Sequence, residues 1–296
     1  MGMPYVAFCE TCTWTGSGEG RVNEDYAVIR EDAGCAVLVD GATGLTKVNL
    51  IAGESDASWY ARELCEQTVG LLGATSQNEG GVPTATAMGD AARSVAADYL
   101  RLPGAADLTR EDLPNGSVAV LRWDSDQLEV TMLGDCTAAV AMRDGSVRVV
   151  HDATLDALDQ QNYERMYRYA VKHGTTMAQA RRALNDRFIA NRLKMNEPGG
   201  YWAADITCRG FGNELVERFS TREVTGVFAC SDGFVAAVEM GVVDDAGELA
   251  LRTLAGEGQR LAKELRAAER ADAELWRVHR SKVSDDATYV AIAFGE

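Results

Sequence analysis

A short apolar run, Cys35-Ala36-Val37-Leu38-Val39, ends abruptly in Asp40-Gly41. Apolar and β-branched residues over five positions predict a buried strand. Glycine follows the carboxylate at once, so an acidic group is expected at a strand tip where the backbone turns. A buried carboxylate without a counter-charge is strongly disfavoured, and a divalent cation is an obvious partner for it. Asp-Gly is also a common turn signal, so this pair alone constrains little. The arrangement recurs at four other places. Asn23-Glu24-Asp25 precedes an apolar run, and Leu133-Gly134-Asp135 joins two. Ser231-Asp232-Gly233 follows a third run, and Ser284-Asp285-Asp286 opens the last. Each is a place where separate chain segments can converge.

Strands are predicted over 5–14, 26–30 and 35–39, with a Gly-rich turn at 16–20 after the first. Helical patterns follow over 51–72, where Trp59, Leu64 and Leu71 share a side, and at Met88, Ala92, Val95 and Tyr99. Runs at 117–123, 128–133, 136–142 and 146–150 alternate with turn residues and predict an antiparallel meander. Residues 152–200 read as a polar helical interlude carrying Arg181, Arg182, Arg187, Arg192 and Lys194. Strands resume at 201–207, 214–220 and 226–231, and Asp244-Asp245 reads as a solvated strand entry. Leu254, Leu261, Leu265, Ala268, Leu275 and His279 mark one long amphipathic helix, and 287–294 closes as a strand. No repeat or Pro/Ser-rich linker divides the chain. One α+β domain over 1–296 is expected, with sheet packed on sheet and helices outside.

A net charge of −16 argues against a nucleic-acid footprint. It argues less against a phosphorylated substrate, because bound metal ions reverse the field locally. No apolar run approaches the ~18 residues that span a bilayer, and no signal-like start is read, so a cytoplasmic protein without a membrane partner is expected. The cysteines, at 9, 12, 35, 65, 136, 208 and 230, are odd in number and mostly inside apolar runs. Buried reduced thiols account for them, since Cys9 and Cys12 have no second pair to complete a zinc site.

Oxygen ligands delivered from separate segments suit Mg²⁺ or Mn²⁺. Two such ions ~3.5–4 Å apart promote in-line displacement at phosphorus. In order, the acidic segments resemble the metal-dependent type 2C (PPM-type) Ser/Thr protein phosphatases, of which the chain looks like a divergent, bacterial-like member. The matches run from Arg21 with Glu24-Asp25, through Asp40-Gly41, Gly134-Asp135-Cys136 and Ser231-Asp232-Gly233, to Asp285-Asp286-Ala287-Thr288. The resemblance implies a four-layer α/β/β/α sandwich of two antiparallel sheets flanked by helix pairs. It implies hydrolysis of phosphoserine or phosphothreonine in proteins by a hydroxide bridging two Mn²⁺ or Mg²⁺ ions, with a possible third ion. Asp40 would bridge the pair, and the Gly41 carbonyl would bind one ion. Asp232 and Asp285 would ligate the first ion, with Glu24 and Asp25 acting near the second through waters. Asp135 would serve the third site, and Arg21 would grip the phosphate with its forked donors.

The chain departs from the family pattern at several points. Arg21 stands three residues before Glu24, one fewer than usual. Ala42-Thr43 replaces the His-Gly or Met-Gly after Asp-Gly, which removes the histidine credited with protonating the leaving group. Gly116-Ser117-Val118 stands for Gly-Ser-Thr, and Asp286 stands for Asn. In the family a flap beside the active site occupies the interval of 152–200, so its arginines are candidates for choosing an anionic substrate. A small phosphorylated metabolite is the alternative substrate. A catalytically inactive relative that binds partners or metals is the rival from another class.

Overall fold

The computed structural model describes residues 4–18, 20–46, 48–74, 81–278 and 280–295. Part of the Gly-rich turn at 16–20, the first three residues and His279 lie outside them. Among the described residues the strands are β1 (Val6–Trp14), β2 (Tyr26–Arg30), β3 (Cys35–Ala42), β4 (Asn115–Trp123), β5 (Gln127–Leu133), β6 (Thr137–Met142), β7 (Val147–His151), β8 (Ala204–Asp205), β9 (Leu215–Ser220), β10 (Val224–Cys230) and β11 (Ala287–Phe294). One antiparallel sheet runs β1-β11-β10-β6-β7. The other runs β2-β3-β4-β5-β9, with β8 added to the end of β4.

Side-chain alternation explains how the layers stack. In β3, Ala36 and Leu38 point into the core between the sheets, where they meet Val227, Ala229, Val290 and Ile292 of β10 and β11. Cys35, Val37 and Val39 point the other way. They pack under α1 (Asp56–Gly73) and α2 (Thr84–Tyr99). On the opposite outer face, Phe228 and Tyr289 pack under the helices that follow β10. The result is helix pair, sheet, sheet, helix group, the α+β sandwich expected.

The helical interlude forms α3 (Thr154–His173), α4 (Met177–Ala183) and α5 (Asn185–Arg192), and after β10 come α6 (Asp232–Glu239), α7 (Ala246–Arg252) and α8 (Gly258–Ala271). Met88, Ala92, Val95 and Tyr99 are all buried along α2, as their spacing requires. On α1, Leu72 rather than Leu71 faces the core; Leu71 is 38% exposed.

Four other expectations need correction. The meander is split: β4 and β5 lie in one sheet, β6 and β7 in the other. Gly134, at φ 103°, makes the turn that carries the chain across, so Asp135 falls where the sheets meet. The strand at 201–207 shrinks to β8, because Asn196 takes the Tyr201 carbonyl with its N–H (2.7 Å) and the Ala203 N–H with its side chain (2.9 Å). Asp245 is the N-cap of α7, accepting from the Glu248 N–H at 2.8 Å. The long helix breaks at a π turn, 253–257, where Gly256 has φ 84°, and α8 ends at Ala271 with Leu275 beyond it. No helix among the described residues is long and apolar enough to cross a membrane.

Candidate metal and phosphate site

Strand pairing delivers the acidic residues to one end of the sandwich. The β3–β4 register sets Asp40 opposite Ser117 and Gly41 opposite Gly116. The Ser117 hydroxyl hydrogen-bonds the Asp135 carboxylate and accepts the Asp135 N–H at 3.1 Å. In the other sheet, the Ser231 N–H donates to the Thr288 carbonyl at 3.0 Å, and the Thr288 N–H donates to Ser231 Oγ at 2.9 Å. That exchange places Asp232 beside Asp285 and Asp286. The Asp232 N–H then donates to Asp40 Oδ2 at 3.3 Å, which ties the motifs of the two sheets together.

Two glycines make this approach possible. A Cβ on Gly41 would run into the Glu24 carbonyl, and a Cβ on Gly233 would run into the Asp286 carbonyl. Main chains touch where any side chain would hold them apart.

The carboxylates crowd one another. Burial pushes Asp40 well above the usual carboxylate range, and the charges of Asp25, Asp232, Asp135 and Asp285 push it further. Asp25 rises to about 7, from burial first and then from Asp286 and Asp285, against hydrogen bonds from Thr288 and Ser231. Asp135 and Asp232 are raised as well, each by burial first. Asp232 also meets solvent at the open cleft, so water moderates both the burial cost and the repulsion from Asp285 and Asp135 there. Asp285 goes the other way: burial opposes its charge, but Lys282 and Arg21 hold it below the ordinary range.

Arg21 donates to Asp285 Oδ1 at 2.6 Å and to Asp286 Oδ2 at 3.3 Å. Asp286 also accepts the N–H of Gly16 (2.7 Å) and of Glu24 (3.0 Å). The aspartate that stands where the family pattern has asparagine therefore ties together Gly16, Arg21 and Glu24 from a 3% exposed position. Glu24 takes both the N–H and the hydroxyl of Thr43.

A cleft of about 1070 Å³ opens over the cluster, lined by Arg21, Glu24, Asp40, Gly41, Asp135, Asp232 and Asp285 among others. Asp25 lies beneath this floor, only 6% exposed. Segments α3 and α5 form the opposite wall through Asp159, Tyr163, Asn191 and Arg192, with Arg181 from α4. Arg182 and Arg187 are exposed and do not line the cleft. Arg192 donates to Asn115 Oδ1 at 2.5 Å, and Asn115 donates to the Ala42 carbonyl at 3.2 Å. Sequence reasoning missed Asn115, Asp159 and Lys282. Asn115 had a signal, its place just before Gly116-Ser117; the other two had none.

The donor chemistry fits a hard divalent cation. Asp25 Oδ2 is buried with no hydrogen-bond partner, and Asp40 and Asp232 add anionic oxygens, Asp232 under the charge of Lys282. Asp285 is the exception, since both of its oxygens are taken by Arg21 and Lys282. Among the described residues no three His, Cys, Asp or Glu side chains already close around a single point as a metal cluster.

The sequence matches no family model and no curated protein. Solved structures do match. The catalytic domain of the serine threonine protein phosphatase PstP, in complex with 2 manganese ions, aligns with a TM-score of 0.56 at 14% identity over 98% of each chain. Serine/threonine phosphatase Stp1 from Staphylococcus aureus gives 0.53 at 12%, over 99% of this chain and 98% of that one. PppA, a regulatory component of T6SS in Pseudomonas aeruginosa, gives 0.54 at 14%, over 98% and 99%. The chain has the fold of the bacterial serine/threonine phosphatases across nearly its whole length.

Proposed function

We propose that the chain is a metal-dependent phosphomonoester hydrolase acting on phosphoserine or phosphothreonine in proteins. One observation carries this reading: Asp40, Asp135, Asp232 and Asp285, from separate segments, line one cleft and crowd each other there, with Asp25 buried beneath them. Asp40, Asp232 and Asp285 would hold one Mn²⁺ or Mg²⁺ ion, and Asp40 with the Gly41 carbonyl, Glu24 and Asp25 a second. Asp135 would serve a third, weaker position. When bound, such ions supply charge neutralisation and an activated water for displacement at phosphorus.

The chain's own groups do the rest. Arg21, held by Asp285 and Asp286 at the cleft wall, offers a forked donor to phosphoryl oxygens. Ala42 and Thr43 bring no titratable group to the leaving oxygen, so solvent protonates it. The whole of 1–296 acts as one phosphatase domain, with 152–200 as a flap whose Arg181 and Arg192 meet the anionic substrate. Seven unpaired thiols suit a reducing compartment such as the cytoplasm. The walling of the cleft by polar groups of α3 to α5 favours a second reading of the substrate, a small phosphorylated metabolite.

Hydrolysis of para-nitrophenyl phosphate tests the reaction. The wild type is expected to need Mn²⁺, and Asp40→Asn to lose at least about 100-fold in rate, the scale of a lost catalytic group. Wild-type protein with no metal-stimulated turnover would overturn the enzyme reading in favour of a binding module. Turnover of phosphopeptides against a panel of phosphorylated metabolites then separates the two substrates.

A further inference from the structure

Lys282 reaches the acidic cluster from a loop braced along its length. The Asp272 carboxylate accepts the N–H groups of Trp276 (3.1 Å), Arg277 (2.9 Å) and Val278 (3.1 Å) and the Arg280 guanidinium at 2.6 Å. Arg280 in turn donates to the carbonyls of Val283 (3.0 Å) and Val278 (3.0 Å), and to those of Glu269 (3.3 Å) and Asp272 (3.2 Å). Arg266 fixes the far end by donating to the Asp285 carbonyl at 2.6 Å. Between these ties, Lys282 Nζ makes an ion pair with Asp285 Oδ2, and the charge of Asp232 acts on it as well.

An exposed lysine on a flexible stem gains little from one carboxylate. Here the loop carries the ammonium to the two acidic residues that would hold the first ion. An ammonium neutralises charge through three donors but has no acceptor and no open coordination position. It quiets the pair without supplying the chemistry of a divalent ion. The stem also has somewhere to go. Its side chain is 47% exposed, and it borders both the site cleft and a second cavity of about 900 Å³ that shares Asp135, Asp232 and Asp285 with that cleft and extends to His151 and Glu239.

We propose that Lys282 is a tethered counter-cation of Asp232 and Asp285, which a divalent ion must displace in order to bind there. The proposal rests on the metal-dependent phosphatase reading, which makes those two residues ligands. In consequence the first metal position binds its ion more weakly than the same carboxylates would without the lysine.

Calorimetric titration of Mn²⁺ into the metal-free full chain tests this without any activity. Lys282→Met is expected to bind Mn²⁺ about fivefold tighter than wild type, the upper end for one partly screened ion pair. Lys282→Arg, which keeps the charge, and Lys263→Met, on the surface of α8, are expected to match wild type. A second measurement needs no variant fold: in the wild-type chain with ¹³C-methylated lysines, the Lys282 resonance is expected to shift on Mg²⁺ addition and Lys263 to stay. Equal Mn²⁺ affinity for wild type and Lys282→Met overturns the proposal and leaves the phosphatase reading intact. So does an unchanged Mn²⁺ affinity with weakened binding of inorganic phosphate, which makes Lys282 a phosphate ligand. Absence of Mn²⁺ binding to every form, wild type included, overturns both.

Discussion

The sheets and the α3–α5 segment, both of which face the cleft, are built on opposite terms. All nine residues of β4 are buried, and β10 is buried at every position but one. No residue of α5 is buried, and α4 buries only Met177 and Ala180. Asp40, Asp135, Asp232 and Asp285 stand at or beside the ends of the first kind of element, and Arg181 and Arg192 stand on the second. Groups that must keep fixed spacing sit on packed strand ends, and groups that meet a variable ligand sit where little resists repacking.

The largest test of that contrast is a matched pair of truncations. Phe228→Ala, in the core under α6 to α8, is expected to cost about 3–5 kcal/mol. Phe188→Ala on α5, which loses the Arg181 guanidinium stacked 3.5 Å from its ring centroid, is expected to cost about 1 kcal/mol. Urea denaturation of both variants gives the comparison, and equal losses would break it. Next in size, Arg192→Ala removes the bond from α5 to Asn115. It is expected to raise KM for the phosphorylated substrate about tenfold, with stability and kcat kept near wild type. A fall in kcat instead would move the segment from recognition into chemistry.

The smallest effect lies at the junction of the two regions. His151, at the end of β7, pairs with Asp156 in the first turn of α3 at 2.7 Å. That hydrogen bond raises the imidazole pKa against the opposing effect of burial. A raised histidine contributes its stability in full below its unfolded pKa and loses it as pH rises through the folded value. With Asp156 over half exposed, the contribution is under about 1 kcal/mol. Thermal melts of wild type and His151→Gln should therefore differ more at pH 6 than at pH 8.

How much of this was legible in the sequence follows the same divide. Asp40, Asp135, Asp232 and Asp285 could be read in advance because each stands at the end of a periodic apolar run, and strand pairing then had few ways to arrange them. The crossing at Gly134 could not be read, since the same residues also suit a simple hairpin turn. Lys282 and Asp159 stand on a loop and a polar helix, not at the end of a periodic apolar run, and the loop is held by the pairing of Asp272 with Arg280. No local pattern encodes contacts of that kind. Asp286 shows the intermediate case: its position was read, but its role as the acceptor that holds Gly16 and Glu24 emerged only from the folded chain.

The contacts at Gly41 and Gly233 have a consequence for how the site fails. Each is a place where one main chain rests directly on another, so the spacing of the acidic groups is set by backbone thickness rather than by side-chain fit. Nothing there can flex a rotamer to absorb an added methyl group. An alanine at either position acts as a shim, lifting a whole segment and several carboxylates with it. The site is therefore highly vulnerable to mutation at two residues that have no side chain to offer it.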